Sequence, residues 1–291
     1  MNSLLRSTLI IMLFTFCWAA GLQAQENLNE FGKNRIQYKQ LNWRFFSSDN
    51  FDVYYYQNGE DNARHTIEYL EKHFEEITEA IGYAPYTKTK IFLYNSTTDL
   101  QQSNVGVNES SFSVGGQTNF VKPQIEVAFP GTQEAFQKEL KYQVALMLIN
   151  DMMFGGSLTD MFQNSYLLTL PDWFMTGAAK YVAEGWSIEM DDYIRDLMLN
   201  GKFKRLHKFT GDDAALVGQS IWNFVAEKYG RSNISNILNL TRIIRNEESS
   251  ISNTLGLPFR GFLREWVVYY KEMEGRLTSV YVLPEQDQIL S

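Results

Sequence analysis

One segment that is apolar on every face constrains this chain most. Thr132 is a candidate N-cap of a helix that the sequence predicts through about Phe154, and its second half is VALMLIN (144–150). A helix that is apolar all round is buried in the middle of a protein, so other elements must surround it. With 291 residues, 44% of them hydrophobic and 21% charged, the chain can supply those elements as one large domain or two small ones.

The first half of the chain predicts a small mixed β-sheet with one helix. Two short aromatic runs flank a Ser-Ser-Asp-Asn turn within residues 42–56, which is typical of a β-hairpin. Residues 61–81 repeat apolar side chains at steps of three and four, the stripe of an amphipathic helix that Gly82 ends. Further strands are predicted at 88–95 and 124–129, on either side of a glycine-rich stretch.

From Thr132 onward the pattern becomes helical. After the helix that starts there, further helices are predicted at about 171–184, 188–200, 214–229, 231–245 and 257–275. The predicted fold class is therefore α+β. Its parts are a mixed-sheet subdomain (25–131), a helical subdomain (132–280) and a polar tail or linker (281–291).

The first 24 residues have the pattern of a secretory signal peptide. Arg6 provides a positive start, residues 9–20 form an apolar core, and Leu-Gln-Ala precedes Gln25 as a cleavage site. The alternative is an uncleaved membrane anchor, although the apolar run is short for a bilayer span. Cys17 follows Phe16, whereas a bacterial lipoprotein signal requires a small residue before its cysteine. Lipidation of Cys17 is therefore not expected. No other segment is long and apolar enough to span a membrane, so we expect an exported protein without an integral span after cleavage.

The net charge and the small number of cysteine and histidine side chains exclude several classes of function. A net charge of -8 argues against nucleic acid as a partner, because such binding faces are basic. Removing the signal peptide removes Cys17, the one cysteine, and with it any disulfide or thiolate chemistry. Of the three histidines, His65 and His73 share one predicted helix and lie roughly 12 Å apart along it, too far to bind one metal ion together. His207 is remote in sequence.

Two segments of the helical half carry a resemblance to a known family. LPDWFMTGAAKY (170–181) and VGQSIWNFVAEKYG (217–230), which follow a strand and a long buried helix, resemble the peptidase-MA-like gluzincins of secreted bacterial proteins. The similarity covers roughly residues 40–275. It implies a zincin-like α+β fold and a place in the bacterial periplasm or cell envelope. Family members hold zinc with His-Glu-x-x-His on one helix and a glutamate on the next.

Placed on this sequence, every position of that zinc site has changed. The histidine positions fall on Tyr142 and Leu146, the general-base position on Gln143, and the third-ligand position on Thr176. No histidine occurs between His73 and His207, so no shift of register restores a two-histidine site. We therefore expect no metal, no cofactor and no catalytic residue. Tyr142 and Leu146 should fill the vacated space, while Gln143 and Thr176 should hydrogen-bond to each other.

Three functional classes follow from the resemblance. The first is an inactive peptidase-like module that binds or scaffolds in the envelope. Its cleft residues would be Gln124, Ile125, Glu126, Val127 and Trp173. In the family, a substrate pairs as an extra strand with the strand that corresponds to 124–129 here. The partner would therefore be an extended peptide or an envelope protein.

Two of these residue assignments have structural alternatives, and two other classes remain. The alternative for the strand at 124–129 is an ordinary sheet strand that a loop covers. For Trp173 the favoured alternative is a core aromatic, because tryptophan side chains are usually largely buried. The second class is a hydrolase with a non-zinc mechanism, although no nucleophile–base pair is visible. The third is a structural domain of a larger protein, since relatives often precede a β-propeller of the kind found in envelope translocation proteins.

Overall fold

The computed structural model describes residues 39–102, 111–114, 118–121, 124–155, 170–200 and 206–280. The predicted signal peptide (1–24) and polar tail (281–291) lie outside the described residues. The strands are β1 (Arg44–Ser47), β2 (Phe51–Tyr55), β3 (Thr89–Tyr94), β4 (Ser111–Val114), β5 (Thr118–Val121) and β6 (Ile125–Ala128). The α-helices are α1 (Glu60–Ile81), α2 (Thr97–Gln102), α3 (Gln133–Phe154), α4 (Asp172–Glu184), α5 (Ile188–Leu199), α6 (Gly211–Tyr229), α7 (Ser232–Ile244), α8 (Glu247–Leu255) and α9 (Phe259–Val280).

Four strands form one mixed sheet in the order β1-β2-β3-β6. β1 and β2 are the predicted hairpin and pair antiparallel, with Phe46 opposite Val53. β2 pairs parallel to β3, and β3 pairs parallel to β6. Parallel neighbours require a crossover connection, which α1 provides between β2 and β3. The prediction of an α+β fold with a small mixed sheet is confirmed. β4 and β5 form a separate antiparallel pair.

The two faces of the four-stranded sheet have different neighbours. The inner face carries buried side chains against α1 and α3: Phe51, Val53, Ile91, Leu93, Ile125 and Val127. Ring contacts occur at both helices: Phe74 of α1 lies 5.3 Å from Phe51, and Phe136 of α3 lies 5.3 Å from Phe129, just past β6. The outer face is covered in part by α2 and by the segment before β1. There Trp43 packs edge-on against Tyr56, Phe92 and Tyr94 at 5.3 to 5.4 Å.

Helix α3 lies at the centre of the described fold, as its sequence predicts. The Thr132 hydroxyl caps it by accepting from the Ala135 amide at 3.4 Å. All seven residues from Val144 to Asn150 are buried. The helix contacts α1, α4, α7, β5 and β6, so the sheet half meets the helical half along it. None of the described helices is both long and apolar enough to cross a membrane.

Three elements were not predicted, and one helix begins earlier than predicted. Helix α8 lies between two predicted helices, α2 follows β3 closely, and the paired strands β4 and β5 lie on either side of Gly115 and Gly116 in the sequence. Helix α6 begins at Gly211 instead of residue 214. Helix α9 ends at Val280 instead of about residue 275. The other predicted helices lie within about two residues of the expected bounds, which is the usual uncertainty of helix ends.

Candidate functional site

The degenerate zinc-site positions lie on α3 and α4, which pack against each other. Leu146 is 5% exposed and belongs to the hydrophobic core. Tyr142 and Gln143, one turn earlier on α3, are half-buried. Burial raises the pKa of the Tyr142 phenol, and the charges of Glu139 and Asp212 raise it further. Tyr142 therefore stays neutral and faces an acidic environment.

The expected hydrogen bond between Gln143 and Thr176 is absent, and that prediction was wrong. The Gln143 side-chain amide donates to Glu139 Oε1 at 2.7 Å, one turn back on α3. The Thr176 hydroxyl donates to the Asp172 carbonyl at 2.7 Å, one turn back on α4. Each side chain therefore has a partner four residues earlier in its own helix. Such local bonds compete effectively because they need no long-range alignment.

Trp173 is a core residue in this structure. Its side chain is 2% exposed and packs edge-on against Phe174 at 5.7 Å. Phe174 in turn contacts Trp222 of α6 at 5.1 Å, and the Trp222 indole donates to the Phe174 carbonyl at 3.0 Å. The favoured interpretation of Trp173 as a core aromatic is confirmed. Its assignment to a ligand-contacting cleft requires a correction, because the ring has almost no accessible surface.

Strand β6 lies at one edge of the sheet, with β3 as its only pairing partner among the described strands. Just past β6, the Phe129 amide donates to the Tyr94 carbonyl of β3 at 2.9 Å. Successive residues of an extended chain direct their backbone groups to alternate edges. The backbone groups of Val127 therefore also face β3, while those of Glu126 and Ala128 line the outer edge.

Side chains of β6 point alternately to the two faces of the sheet, and three of the four are buried: Ile125, Val127 and Ala128. Ile125 and Val127 are buried in the inner-face core, so they cannot contact a ligand directly. Gln124 and Glu126 are half-buried, and the Gln124 amide donates to Glu126 Oε1 at 2.8 Å. Of the predicted cleft residues, this strand therefore offers backbone groups and the side chains of Gln124 and Glu126.

A cavity of about 780 Å³ lies beside Tyr142 and was not predicted. Its walls come from α3, the end of α4, the α4–α5 turn, and the first turns of α5 and α6. The charged and aromatic lining residues are Lys138, Glu139, Tyr142, Lys180, Glu184, Trp186, Glu189 and Asp212. Of the four degenerate zinc-site positions, only Tyr142 lines it. Three separate segments build the cavity (135–142, 180–189 and 212–216), so no local sequence pattern indicates it.

The histidines are not grouped. His65 is exposed on α1, and His207 is exposed in a short 3₁₀ turn (Leu206–Lys208). His73 is half-buried, with its Nδ1 at 3.0 Å from Glu76 Oε2, and Glu76 also pairs with Lys141 of α3 at 3.4 Å. Among the described residues, no three His, Cys, Asp or Glu side chains are placed to hold a metal ion together.

Comparison with protein-family models, with curated proteins and with solved structures gives no match for this chain. The similarity to peptidase-MA-like gluzincins therefore stays a prediction based on the motifs in residues 170–181 and 217–230.

Proposed function

We propose that this chain is a non-catalytic, peptidase-like module that binds an extended peptide as an additional strand along β6. The outer edge of β6 is the observation that supports it. β6 is the last strand in the order β1-β2-β3-β6, and the backbone N–H and C=O groups of Glu126 and Ala128 face away from β3. A strand edge of this kind is a template for an incoming chain, because main-chain hydrogen bonds supply affinity without a fixed sequence.

The residue types at the degenerate zinc-site positions argue that the module does not hydrolyse its ligand. Leu146 has no atom that binds a metal, and Gln143 has no carboxylate to accept a proton from water. Thr176 uses its hydroxyl to bond within α4. Catalytic zinc needs about three protein ligands and an open position for water. A peptide held beside these residues would remain intact.

The signal-peptide pattern of residues 1–24 supports a place in the bacterial envelope for this function. The protein isolated from the envelope fraction should begin at or near Gln25, which intact-mass spectrometry measures directly. Recovery of a chain that retains Met1 to Ala24 would contradict export by cleavage and favour a membrane anchor.

Proline at position 126 tests strand addition. Glu126→Pro removes an amide hydrogen that faces away from β3 and leaves the bonds between β6 and β3 intact, and edge strands tolerate such a proline. Glu126→Gln is the matched control, because it removes the charge and keeps the amide. The probe is the strongest binder from a randomised library of about twelve-residue peptides, a length that covers a typical strand. Fluorescence anisotropy of the labelled peptide gives the affinity.

We expect Glu126→Gln to bind the peptide like the original chain and Glu126→Pro to bind at least about tenfold more weakly. Single N-methylation along the peptide should weaken binding at every second residue, because only alternate amides of a strand face β6. Equal affinity for both variants would rule out strand addition at this edge. So would sensitivity to N-methylation without a period of two. Failure of the library to yield any binder would favour the structural-domain alternative.

A further inference from the structure

The cavity beside Tyr142 carries more negative than positive charge. Glu139, Glu184, Glu189 and Asp212 line it, against Lys138 and Lys180. Lys180 is held by two of these carboxylates, with Glu184 at 3.4 Å and Glu189 at 3.5 Å. Lys138 pairs at 2.8 Å with Glu134, which lies outside the lining. Among the described residues, neither of these two lysines is therefore paired with Glu139 or Asp212.

These two carboxylates line the cavity together with Tyr142, and they come from different helices. Glu139 lies one turn before Tyr142 on α3, and Asp212 lies in the first turn of α6. Burial raises the pKa of Tyr142, and both charges raise it further. The Glu139 carboxylate accepts from the neutral amide of Gln143, so its charge is not cancelled. This wall suits a cation.

The rim of the cavity carries two exposed apolar side chains, and a buried glutamine fixes the backbone next to them. Trp186 is 49% exposed and Ile188 is 68% exposed, both at the α4–α5 turn. Gln219 of α6, with no exposed surface, donates to the Gly185 carbonyl at 2.8 Å and to Ser187 Oγ at 3.2 Å. A fully buried side chain thus fixes the turn that presents Trp186 to solvent. Exposed aromatic side chains on fixed backbone are frequent anchors in binding sites.

We propose that this cavity binds an arginine or lysine side chain of a partner peptide. Glu139 and Asp212 attract the cationic group, the Tyr142 hydroxyl can accept a hydrogen bond from it, and Trp186 packs on the aliphatic stem or on the cation. A long basic side chain has both properties that the cavity offers, an apolar stem and a positive end. The volume of 780 Å³ also leaves room for neighbouring atoms of the peptide.

This inference rests on the proposed function only in that both involve a peptide. It does not require strand addition at β6, so we expect the Glu126→Pro variant to keep the selectivity of the cavity even where it loses strand addition. A metal ion is a poorer occupant, because the Glu139 and Asp212 carboxylates fall short of the three ligands that a protein metal site ordinarily supplies.

The test compares three probes by calorimetric titration at low salt. They are the blocked tripeptide Ac-Ala-Arg-Ala-NH₂, the same peptide with citrulline, which is neutral and nearly the same shape, and agmatine, which has the guanidinium without a peptide. We expect the arginine peptide to bind at least about tenfold more tightly than the citrulline peptide. That difference should shrink at about 0.5 M salt, since screening weakens charge pairing. Agmatine should bind more weakly than the arginine peptide.

Variants locate the site. Glu139→Gln combined with Asp212→Asn should lower affinity for the arginine peptide at least about tenfold. The matched control, Asp192→Asn with Glu248→Gln, removes the same charge from exposed residues that do not line the cavity and should change little. Trp186→Ala should weaken binding severalfold, whereas Tyr86→Ala, at a fully exposed tyrosine outside the lining, should not.

Several results would overturn the inference. They are equal affinity for the arginine and citrulline peptides, no saturation by the arginine peptide up to about 10 mM, and unchanged affinity in the Glu139/Asp212 double variant. Loss of affinity to the same degree in the control double variant would mean that net charge, and not this cavity, attracts the peptide. Equal binding of agmatine would overturn the assignment to a peptide.

Discussion

Gly177 of α4 and Gly218 of α6 bring the backbones of two helices into direct contact. A Cβ built on Gly218 would lie 2.7 Å from the Gly177 Cα, and a Cβ built on Gly177 would lie 2.8 Å from the Gln219 amide nitrogen. Neither position has room for a methyl group. The contact sets the spacing of the two helices, and through Gln219 it also fixes the turn that carries Trp186.

Alanine at either glycine should force the helices apart. We expect Gly177→Ala and Gly218→Ala each to lower the free energy of unfolding by about 3 kcal/mol, the cost of overpacking a tight core. Urea denaturation followed by circular dichroism measures it. Gly261→Ala in α9 is the control, because its Cβ would meet only side-chain atoms at 3.9 Å. That variant should gain about 0.5 kcal/mol from higher helix propensity. An unchanged urea midpoint for Gly177→Ala would show that the two helices can move apart without loss of stability.

Thr66 and Thr241 are both buried in helices, but their hydroxyl groups differ. Among the described residues, Thr66 Oγ1 on α1 has no hydrogen-bond partner, whereas Thr241 Oγ1 on α7 donates to the Ile237 carbonyl at 2.8 Å. Thr66→Val should therefore raise the free energy of unfolding by about 1 kcal/mol, and Thr241→Val should lower it by a similar amount. Thermal unfolding would show shifts of about 3 °C in opposite directions. Shifts of the same sign would contradict the assignment.

Asp99 on α2 ties down the segment before β1 and should make stability depend on pH. It accepts from Lys39 Nζ at 2.8 Å and from the Tyr56 hydroxyl at 2.5 Å. Burial alone would raise the pKa of Asp99, but these hydrogen bonds outweigh burial and hold it below its usual range. The stabilisation is therefore complete above the unfolded-state pKa of about 3.9 and is lost as pH falls through the lower pKa of the folded state.

Asp99→Asn isolates this effect. The variant should melt below the original chain at pH 6, and the difference in melting temperature should shrink as pH falls below about 4. Both chains share every other carboxyl group, so the difference between them reports Asp99. A difference that stays constant from pH 6 to about pH 3 would mean that the ionised form gains nothing from Lys39 and Tyr56.

Zinc binding should appear only when the family ligands are restored. We expect the original chain to carry no stoichiometric zinc by elemental analysis and to cleave no peptide. The variant with Tyr142→His, Gln143→Glu, Leu146→His and Thr176→Glu should gain zinc affinity, because two histidines four apart on a helix can bind one ion. It should also unfold more easily without zinc, since histidine replaces a buried leucine.

The matched control for this experiment keeps Leu146 and changes the other three positions. It should bind zinc far more weakly, because one ligand is missing. Stoichiometric zinc in the original chain, or hydrolysis of peptides that a chelator stops, would contradict the non-catalytic interpretation.

The sequence was most informative where an element carries its own periodicity. Helix α1 and the buried α3 were predicted closely because their apolar spacing is fixed by burial on one face or on all faces. Helix α8 was missed because it buries only Ser250 and Ile251, too few for a stripe. A cap was available as a signal, since Asn246 accepts from the Ser249 amide at 2.7 Å.

Contacts between segments that are distant in sequence could not be predicted from local sequence patterns. That β6 lies at an edge and runs parallel to β3 depends on the crossover connections, which the strands themselves do not encode. The partners of Gln143 and Thr176 were mispredicted because long-range contact was assumed where a bond within the helix was available. The cavity needs residues from three segments, so only the packed structure brings Tyr142, Trp186 and Asp212 to one site.

The position of α3 has a consequence for how the chain matures. All six described strands precede this helix in the chain, yet the inner face of the sheet needs both α1 and α3 to cover it. Because a chain is synthesised from its N-terminus, the inner face of the sheet is only partly covered until residues 133–154 have been made. A fragment that stops before Thr132 would therefore expose Ile125 and Val127 and aggregate through the open strand edge. The strands come first, but they depend on a helix made later.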